Sequence, residues 1–187
     1  MEHQYVFRAI RQEEIPLMYQ MILNRMAWMD QVGISQWNKT HYDTVYPLSY
    51  YEQKRLEGEA FVLEDPRAGE IVCAGVLKKE DARWPTEAPA LYLHHFVTKV
   101  EHKGVGAIFL ELAEQYVVST GRSLMRLDSA VGNATLADYY GSKGYVPVGT
   151  CVDGLYKGIL REKLLVKHHW RVRLKVIMML TIICCLM

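Results

Sequence analysis

The apolar positions along this chain change period several times, and each change marks an element. Tyr5–Ile10 alternates apolar and polar residues and predicts a first strand. From Ile15 to Trp28 the spacing becomes helical, with Ile15, Met18, Ile22 and Met26 on one face. Asp30–Tyr51 holds neither period and is rich in Trp, Tyr, His and Asn, with a short helix expected around Tyr50–Glu57. Ala60–Glu64 and Ile71–Lys78 read as strands joined by Asp65-Pro66-Arg67-Ala68-Gly69, whose Pro and Gly favour a turn. Ala90–Thr98, apolar and aromatic apart from His94 and His95, is the most strand-like segment. A helix from Gly104 to about Ser119 follows, with Val105, Ile108, Phe109, Leu112 and Tyr116 expected on its buried face and Gly121 just past its end. Ser123–Asp128 predicts a strand and Ala134–Lys143 a helix stopped at Gly144; Tyr145–Val152 and Leu155–Leu165 predict a closing antiparallel pair.

That order, with strands and helices mixed but not strictly alternating, predicts an α/β (α+β) layered domain around a mixed sheet. The 187 residues suffice for one real core, and neither a linker nor a repeat divides residues 1–165. A net charge of +1 argues against general nucleic-acid binding, which needs a clear basic excess. Cys73, Cys151, Cys184 and Cys185 show no zinc-site spacing, so no metal is expected. The N-terminal stretch lacks the apolar core of a signal peptide; reduced thiols and a cytoplasmic location are the expectation. Residues 166–187 turn basic and then apolar. The apolar run of about a dozen residues falls short of the ~20 that span a bilayer. It is expected to pack on the domain or to form a homodimer rather than to anchor in a membrane.

The first candidate chemistry is at Glu101-His102-Lys103-Gly104-Val105-Gly106-Ala107, between the strand ending near Thr98 and the helix beginning near Gly104. Unpaired N–H groups and the positive dipole end of a helix suit a pyrophosphate. Two glycines let the backbone approach it closely, and Lys103 adds a cation. Neither a Walker loop nor a dinucleotide fingerprint fits, since no Gly-Lys-Ser/Thr follows and Phe109 occupies the third glycine position. Downstream, Asn133 and Tyr140 stand two helical turns apart, ahead of Gly144-Tyr145, and are expected on one helix face.

Taken together, Leu93-His94-His95-Phe96-Val97, the Gly104-Val105-Gly106 loop, and Asn133 with Tyr140 and Gly144-Tyr145 resemble the core of the GCN5-related N-acetyltransferase (GNAT) superfamily. The resemblance is clearest over Ala90–Val148 and extends weakly over residues 5–165. One position departs: where the family usually carries Gln or Arg, three residues before the first loop glycine, this chain has Glu101. Gly33-Ile34-Ser35-Gln36-Trp37 resembles a segment of uncharacterised bacterial members.

The resemblance implies a GNAT-like, mostly antiparallel sheet flanked by helices on both faces, and acetyl-CoA as co-substrate. It implies acetyl transfer to a primary amine of a small molecule by direct attack in a ternary complex. The other reading is a non-catalytic acyl-CoA-binding or interaction protein. Cofactor contacts are expected at Phe96, Val97, Thr98, His102, Lys103, Gly104, Val105, Gly106, Ala107, Asn133 and Tyr140. Tyr140 is the expected acid for the departing thiolate. The base is either His94 or a carboxylate reached through water, and alternation along the strand puts His94 and His95 on opposite faces. Trp28, Gln36, Trp37 and Tyr92 are the candidate acceptor-binding residues, with packing of the irregular loop as the competing role.

Overall fold

The computed structural model describes residues 5–165; the expectations for residues 166–187, Cys184 and Cys185 among them, lie outside the described residues. Seven strands form one sheet: β1 Val6–Ala9, β2 Ala60–Asp65, β3 Glu70–Lys78, β4 Ala90–Thr98, β5 Leu124–Ala130, β6 Val146–Asp153 and β7 Tyr156–Leu164. Five α-helices accompany them: α1 Ile15–Gln31, α2 Tyr42–Val45, α3 Leu48–Leu56, α4 Val105–Ser119 and α5 Ala134–Ser142. Short 3₁₀ turns occupy Gln12–Glu14 and Trp37–Lys39. The strand order is β1-β2-β3-β4-β5-β7-β6, antiparallel throughout except for the parallel β4–β5 pair. A parallel pair cannot be joined by a tight turn, and α4 supplies the crossover.

Helices cover both faces. On one, Met18, Met21 and Ile22 of α1 and Tyr51 of α3 pack on Ala60, Val62, Ala74, Val76 and Val97. On the other, α4 and α5 pack on Phe61, Leu63, Cys73, Leu91, Leu93 and Leu127. The fully buried stripe of α4 is Val105, Phe109, Leu110, Ala113 and Val117; Ile108, Leu112 and Tyr116 are only partly buried. The rotation is set by β3, because the Phe109 ring lies over Gly75, where a Cβ would sit 3.1 Å from Phe109 Cζ and from Leu93 Cδ1. Among the described residues no helix is long and apolar enough to cross a membrane.

Two irregularities shape the middle of the sheet. The β4–β5 ladder runs from Ala90↔Leu124 to Leu93↔Leu127 and stops there, although β4 continues to Thr98 and β5 to Ala130. Beyond Leu93 the strands part, and the β4 backbone on that side has no partner strand. On the opposite edge of β4 the register jumps from Val76↔His94 to Ala74↔Val97, so Gly75 alone faces both His95 and Phe96. This is a β-bulge, and His95 takes a left-handed φ of 51° to make it.

Candidate acetyl-donor and acceptor site

The bulge corrects the expected alternation. His94 and His95 do not point to opposite faces: their ring centroids are 5.9 Å apart, both on the α1–α3 side. A non-glycine residue in the left-handed region costs about 1–2 kcal/mol, and the contacts of the ring offset it. His95 is 6 % exposed, with Tyr42 Oη 2.5 Å and Tyr51 Oη 3.2 Å from Nδ1, and Tyr50 Oη 3.1 Å from Nε2. A neutral ring satisfies this set, with Nε2–H donating to Tyr50 and Nδ1 accepting a phenolic proton. Trp37 stacks on Tyr42 with centroids 4.7 Å apart, and Tyr46 lies 4.6 Å from the His95 ring, extending the aromatic layer.

Burial in this layer holds the His95 pKa well below 6.5. The unfolded chain therefore takes up a proton near pH 6.5 that the folded ring refuses. The resulting stability is present above that pH and lost below it, by about 1.4 kcal/mol per pH unit for one proton. Urea unfolding at pH 7, 6 and 5 is expected to show that slope on the acid side; a flat profile would mean the ring accepts the charge in place.

His94 carries a different set of partners. Its Nε2 lies 3.0 Å from Asp81 Oδ2, and Arg83 Nη2 lies 2.9 Å from Nδ1. The same Nη2 donates to Asp128 Oδ1 at 2.9 Å, and Tyr156 Oη donates to Asp128 Oδ2 at 2.5 Å. Against the cost of burial, hydrogen bonds from His94 and Arg83 hold Asp81 well below the usual carboxylate range, while burial keeps His94 low and neutral. With both ring nitrogens engaged, His94 has no free lone pair for an incoming amine. Asp128 follows Leu127, the last residue of β5 paired with β4, and so stands at the parting of the strands.

Across the sheet, α4 begins at the same parting. Gly104 is its N-cap with φ 85°, a conformation that favours glycine. Ala107 N–H donates to Gly104 O at 3.0 Å, while the N–H groups of Val105 and Gly106 have no intrahelical acceptor. A Cβ at Gly106 would sit 3.3 Å from Thr98 Cγ2, 3.4 Å from Phe96 Cζ and 3.6 Å from Tyr139 Oη, so glycine is what lets the helix start lie against the end of β4. Val97 is buried on the α1 side. Lys103 is exposed beside the cap. His102 is instead drawn to Glu70, 3.0 Å from Nε2 to Oε1, where Lys99 also pairs.

Sequence reasoning missed Arg25. Its guanidinium donates to Thr98 O at 2.6 Å and Oγ1 at 2.8 Å, and lies over the Trp28 ring at 4.9 Å. It is close enough to Glu101 to feel its charge, so a cation offsets that carboxylate beside the loop. The signal was there: Arg25 falls three residues after buried Ile22 and four before buried Met29, and an arginine on such a stripe needs a partner.

The downstream residues divide between folding and chemistry. Asn133 is not on the helix face. It is the N-cap of α5, its side chain accepting from Leu136 N–H at 2.9 Å. Gly144, at φ 86°, ends the helix, and Tyr145 fills the core while donating to Glu114 at 2.9 Å. The Tyr140 ring is only 5 % exposed and packs on Tyr145. Its hydroxyl has no hydrogen-bond partner among the described residues and is not sealed from solvent, which leaves it free to donate. Burial pushes its pKa up, so it holds its proton at neutral pH. Tyr139 is half-buried, with its hydroxyl at the start of α4.

Of the candidate acceptor residues, Trp37 is in the aromatic layer beside His95, and Gln36 precedes the 3₁₀ turn that positions it. Trp28 lies under Arg25 near the loop instead. Tyr92 is buried against Trp84 with its hydroxyl accepting from Arg126 at 3.2 Å, which engages it in packing. A groove of about 510 Å³ between α4, the end of α5 and the end of β7 is lined by Ile108, Leu110, Glu114, Val118, Lys163 and Leu165. It shares Ala107 with the first turn of α4 but contains none of the residues at the parting.

No protein-family model matches the chain, and no curated protein does. Solved structures do. An acetyltransferase of the GNAT family from Listeria monocytogenes aligns with a TM-score of 0.69 at 21 % identity, covering 86 % of this chain and 95 % of that one. An N-acetyltransferase from Thermoplasma acidophilum in complex with coenzyme A aligns at 0.66 and 16 % identity, covering 86 % and 99 %. A putative acetyltransferase from Salmonella typhimurium with acetyl-CoA aligns at 0.59 and 16 %, covering 88 % and 96 %. This chain therefore has the fold of the GNAT-family acetyltransferases.

Proposed function

We propose that the protein is an acetyl-CoA-dependent N-acetyltransferase that acetylates a primary amine, with a small molecule as acceptor. The observation that carries this reading is the parting of β4 and β5 beyond Leu93 and Leu127, directly beside an α4 start kept open by Gly104 and Gly106. An extended thioester arm fits the parting, and its pyrophosphate fits the free N–H groups, with Lys103 and Arg25 as cations. That structures of the same fold are described with coenzyme A or acetyl-CoA supports the choice of donor.

In this reading the edge of β4 from His94 to Val97 that has no partner strand holds the arm and polarises the thioester carbonyl. The amine enters from the α1–α3 side, past Trp37 and the tyrosines. Its nitrogen attacks the carbonyl carbon, the C–N bond forms and the C–S bond breaks. The Tyr140 hydroxyl gives its proton to the departing thiolate. Holding both reactants in one geometry supplies much of the acceleration.

Release of free coenzyme A thiol from acetyl-CoA, followed across a panel of alkyl amines, tests this. Amine-dependent release is expected. Tight acetyl-CoA binding with no turnover of any amine would favour a binding protein instead.

A further inference from the structure

The acetyl-transfer reading leaves open what receives the acceptor amine, and the inference here rests on that reading. From the side-chain network at the parting, we infer that Asp128 binds the acceptor nitrogen and takes its proton, with Arg83 and Tyr156 as positioning residues, and that the favoured acceptor is a cationic amine without a carboxylate.

The argument is one of elimination and placement. His95 has both nitrogens committed to tyrosine hydroxyls, and His94 has both committed to Asp81 and Arg83. Asp81 is deeply buried, its side chain 3 % exposed, whereas Asp128 keeps 12 % and stands at the first position where β5 has left β4. Each Asp128 oxygen receives one hydrogen bond, Oδ1 from Arg83 and Oδ2 from Tyr156. A carboxylate oxygen carries two lone pairs, so each retains capacity for an incoming N–H. The two donors fix the carboxylate plane while leaving that capacity open.

The histidine, cysteine and tyrosine groups around Asp128 are neutral at pH 7. From β4, His94 is held neutral by burial, and from β6, Cys151 is held as the thiol. From α2 and the residue that follows it, Tyr42 and Tyr46 keep their protons, as does Tyr140 from α5. Tyr156 of β7 does the same. The Asp128 charge is felt at Tyr140, so the proposed acid and the proposed proton acceptor lie within electrostatic reach of each other. Arg83 is the cation bonded to Asp128, and it is shared with Asp81; Arg161, donating to Ser129 Oγ at 3.0 Å, is a second guanidinium felt at Tyr140. Asp153, 3.4 Å from the Tyr46 hydroxyl, adds another negative charge on this side. Three carboxylates against two guanidiniums leave a negative balance that attracts an ammonium-bearing acceptor and disfavours one that carries its own carboxylate.

The protons balance as follows. The acceptor meets these carboxylates as a cation; its reacting nitrogen gives one proton to bulk water and then lies neutral and hydrogen-bonded to Asp128. As the C–N bond forms, the nitrogen becomes cationic and its N–H acidic, and Asp128 takes that proton. Tyr140 protonates the sulfur as the C–S bond breaks. The proton on Asp128 returns through water to the tyrosinate, so amine and acetyl-CoA give amide and free thiol with no net proton change.

The test uses acetyl-CoA with 1,4-diaminobutane and with glycine, in wild type, Asp128→Asn and Tyr156→Phe. Wild type is expected to prefer the diamine by at least about tenfold in kcat/KM. Asp128→Asn keeps the size of the side chain and is expected to lose about 100- to 1000-fold in kcat for the diamine, with the KM for acetyl-CoA unchanged. Tyr156→Phe removes the donor that orients Asp128 Oδ2, so kcat for the diamine is expected to fall about tenfold with the KM for acetyl-CoA unchanged. Asp128→Asn within threefold of wild type would overturn the role of Asp128 while leaving acetyl transfer standing. Should Asp128→Asn fail to fold, an unchanged kcat for the diamine in Tyr156→Phe overturns the role on its own. A wild type that turns over glycine as well as the diamine overturns the substrate class, and a wild type that turns over no amine sinks this inference together with the acetyltransferase reading.

Discussion

Tyr140→Phe is expected to lower kcat by about 100- to 1000-fold while leaving the affinity for acetyl-CoA within a factor of two. General acid catalysis by a positioned side chain contributes about 10²–10⁴ in rate, and the change removes a hydroxyl that has no partner among the described residues. Because the ring rather than the hydroxyl packs on Tyr145 and Tyr139, phenylalanine keeps the core intact and orphans no buried group. Tyr139→Phe is the control. Its hydroxyl lies beside Gly106, so the expected effect is a few-fold loss of acetyl-CoA affinity with little change in kcat. Steady-state kinetics on the two variants separates these outcomes. Equal losses in kcat would remove the assignment of the acid to Tyr140.

Gly106→Val is expected to weaken acetyl-CoA binding by two orders of magnitude or more. A Cβ already sits 3.3 Å from Thr98 and 3.4 Å from Phe96, and the further methyls of valine force the start of α4 away from the end of β4. Hydrogen bonds to charged groups are worth about 1.5–3 kcal/mol each, so misplacing two of them costs roughly 3 kcal/mol, about a hundredfold in Kd. Calorimetric titration with acetyl-CoA reads this directly. Retained affinity would mean that the pyrophosphate is held elsewhere.

Much of the fold was legible because the strands and helices carry unbroken periods. Ala90–Thr98 has the bounds observed for β4, and α4 and α5 differ from expectation by a residue at an end. The rotation of α4 was not legible. That helix is apolar over most of its surface, and the choice of Phe109, Ala113 and Val117 as the stripe depends on Gly75 of a strand far away in sequence. The loop glycines were found because left-handed and close-approach positions demand that residue type.

The bulge at His95 was not found, since a register slip against β3 leaves no trace in the period of β4 itself. It decides which histidine faces what. Asp81 and Arg83 were invisible for a related reason: they lie in the aperiodic segment between β3 and β4, and only the closed sheet brings them to His94 and Asp128. The spacing of Asn133, Tyr140 and Gly144 proved to be mainly the span of α5, capped by the first and ended by the last. Tyr140, between them, keeps a hydroxyl without a partner among the described residues.

Backbone hydrogen exchange with and without saturating acetyl-CoA tests the central claim most directly, because the donor is held in this account largely by main-chain groups. New protection is expected at residues 94–98 of β4, at residues 104–108 where α4 begins, and around residues 128–133 beyond the parting. Protection confined to the groove lined by Glu114, Val118 and Leu165, or no change on adding acetyl-CoA, would contradict it.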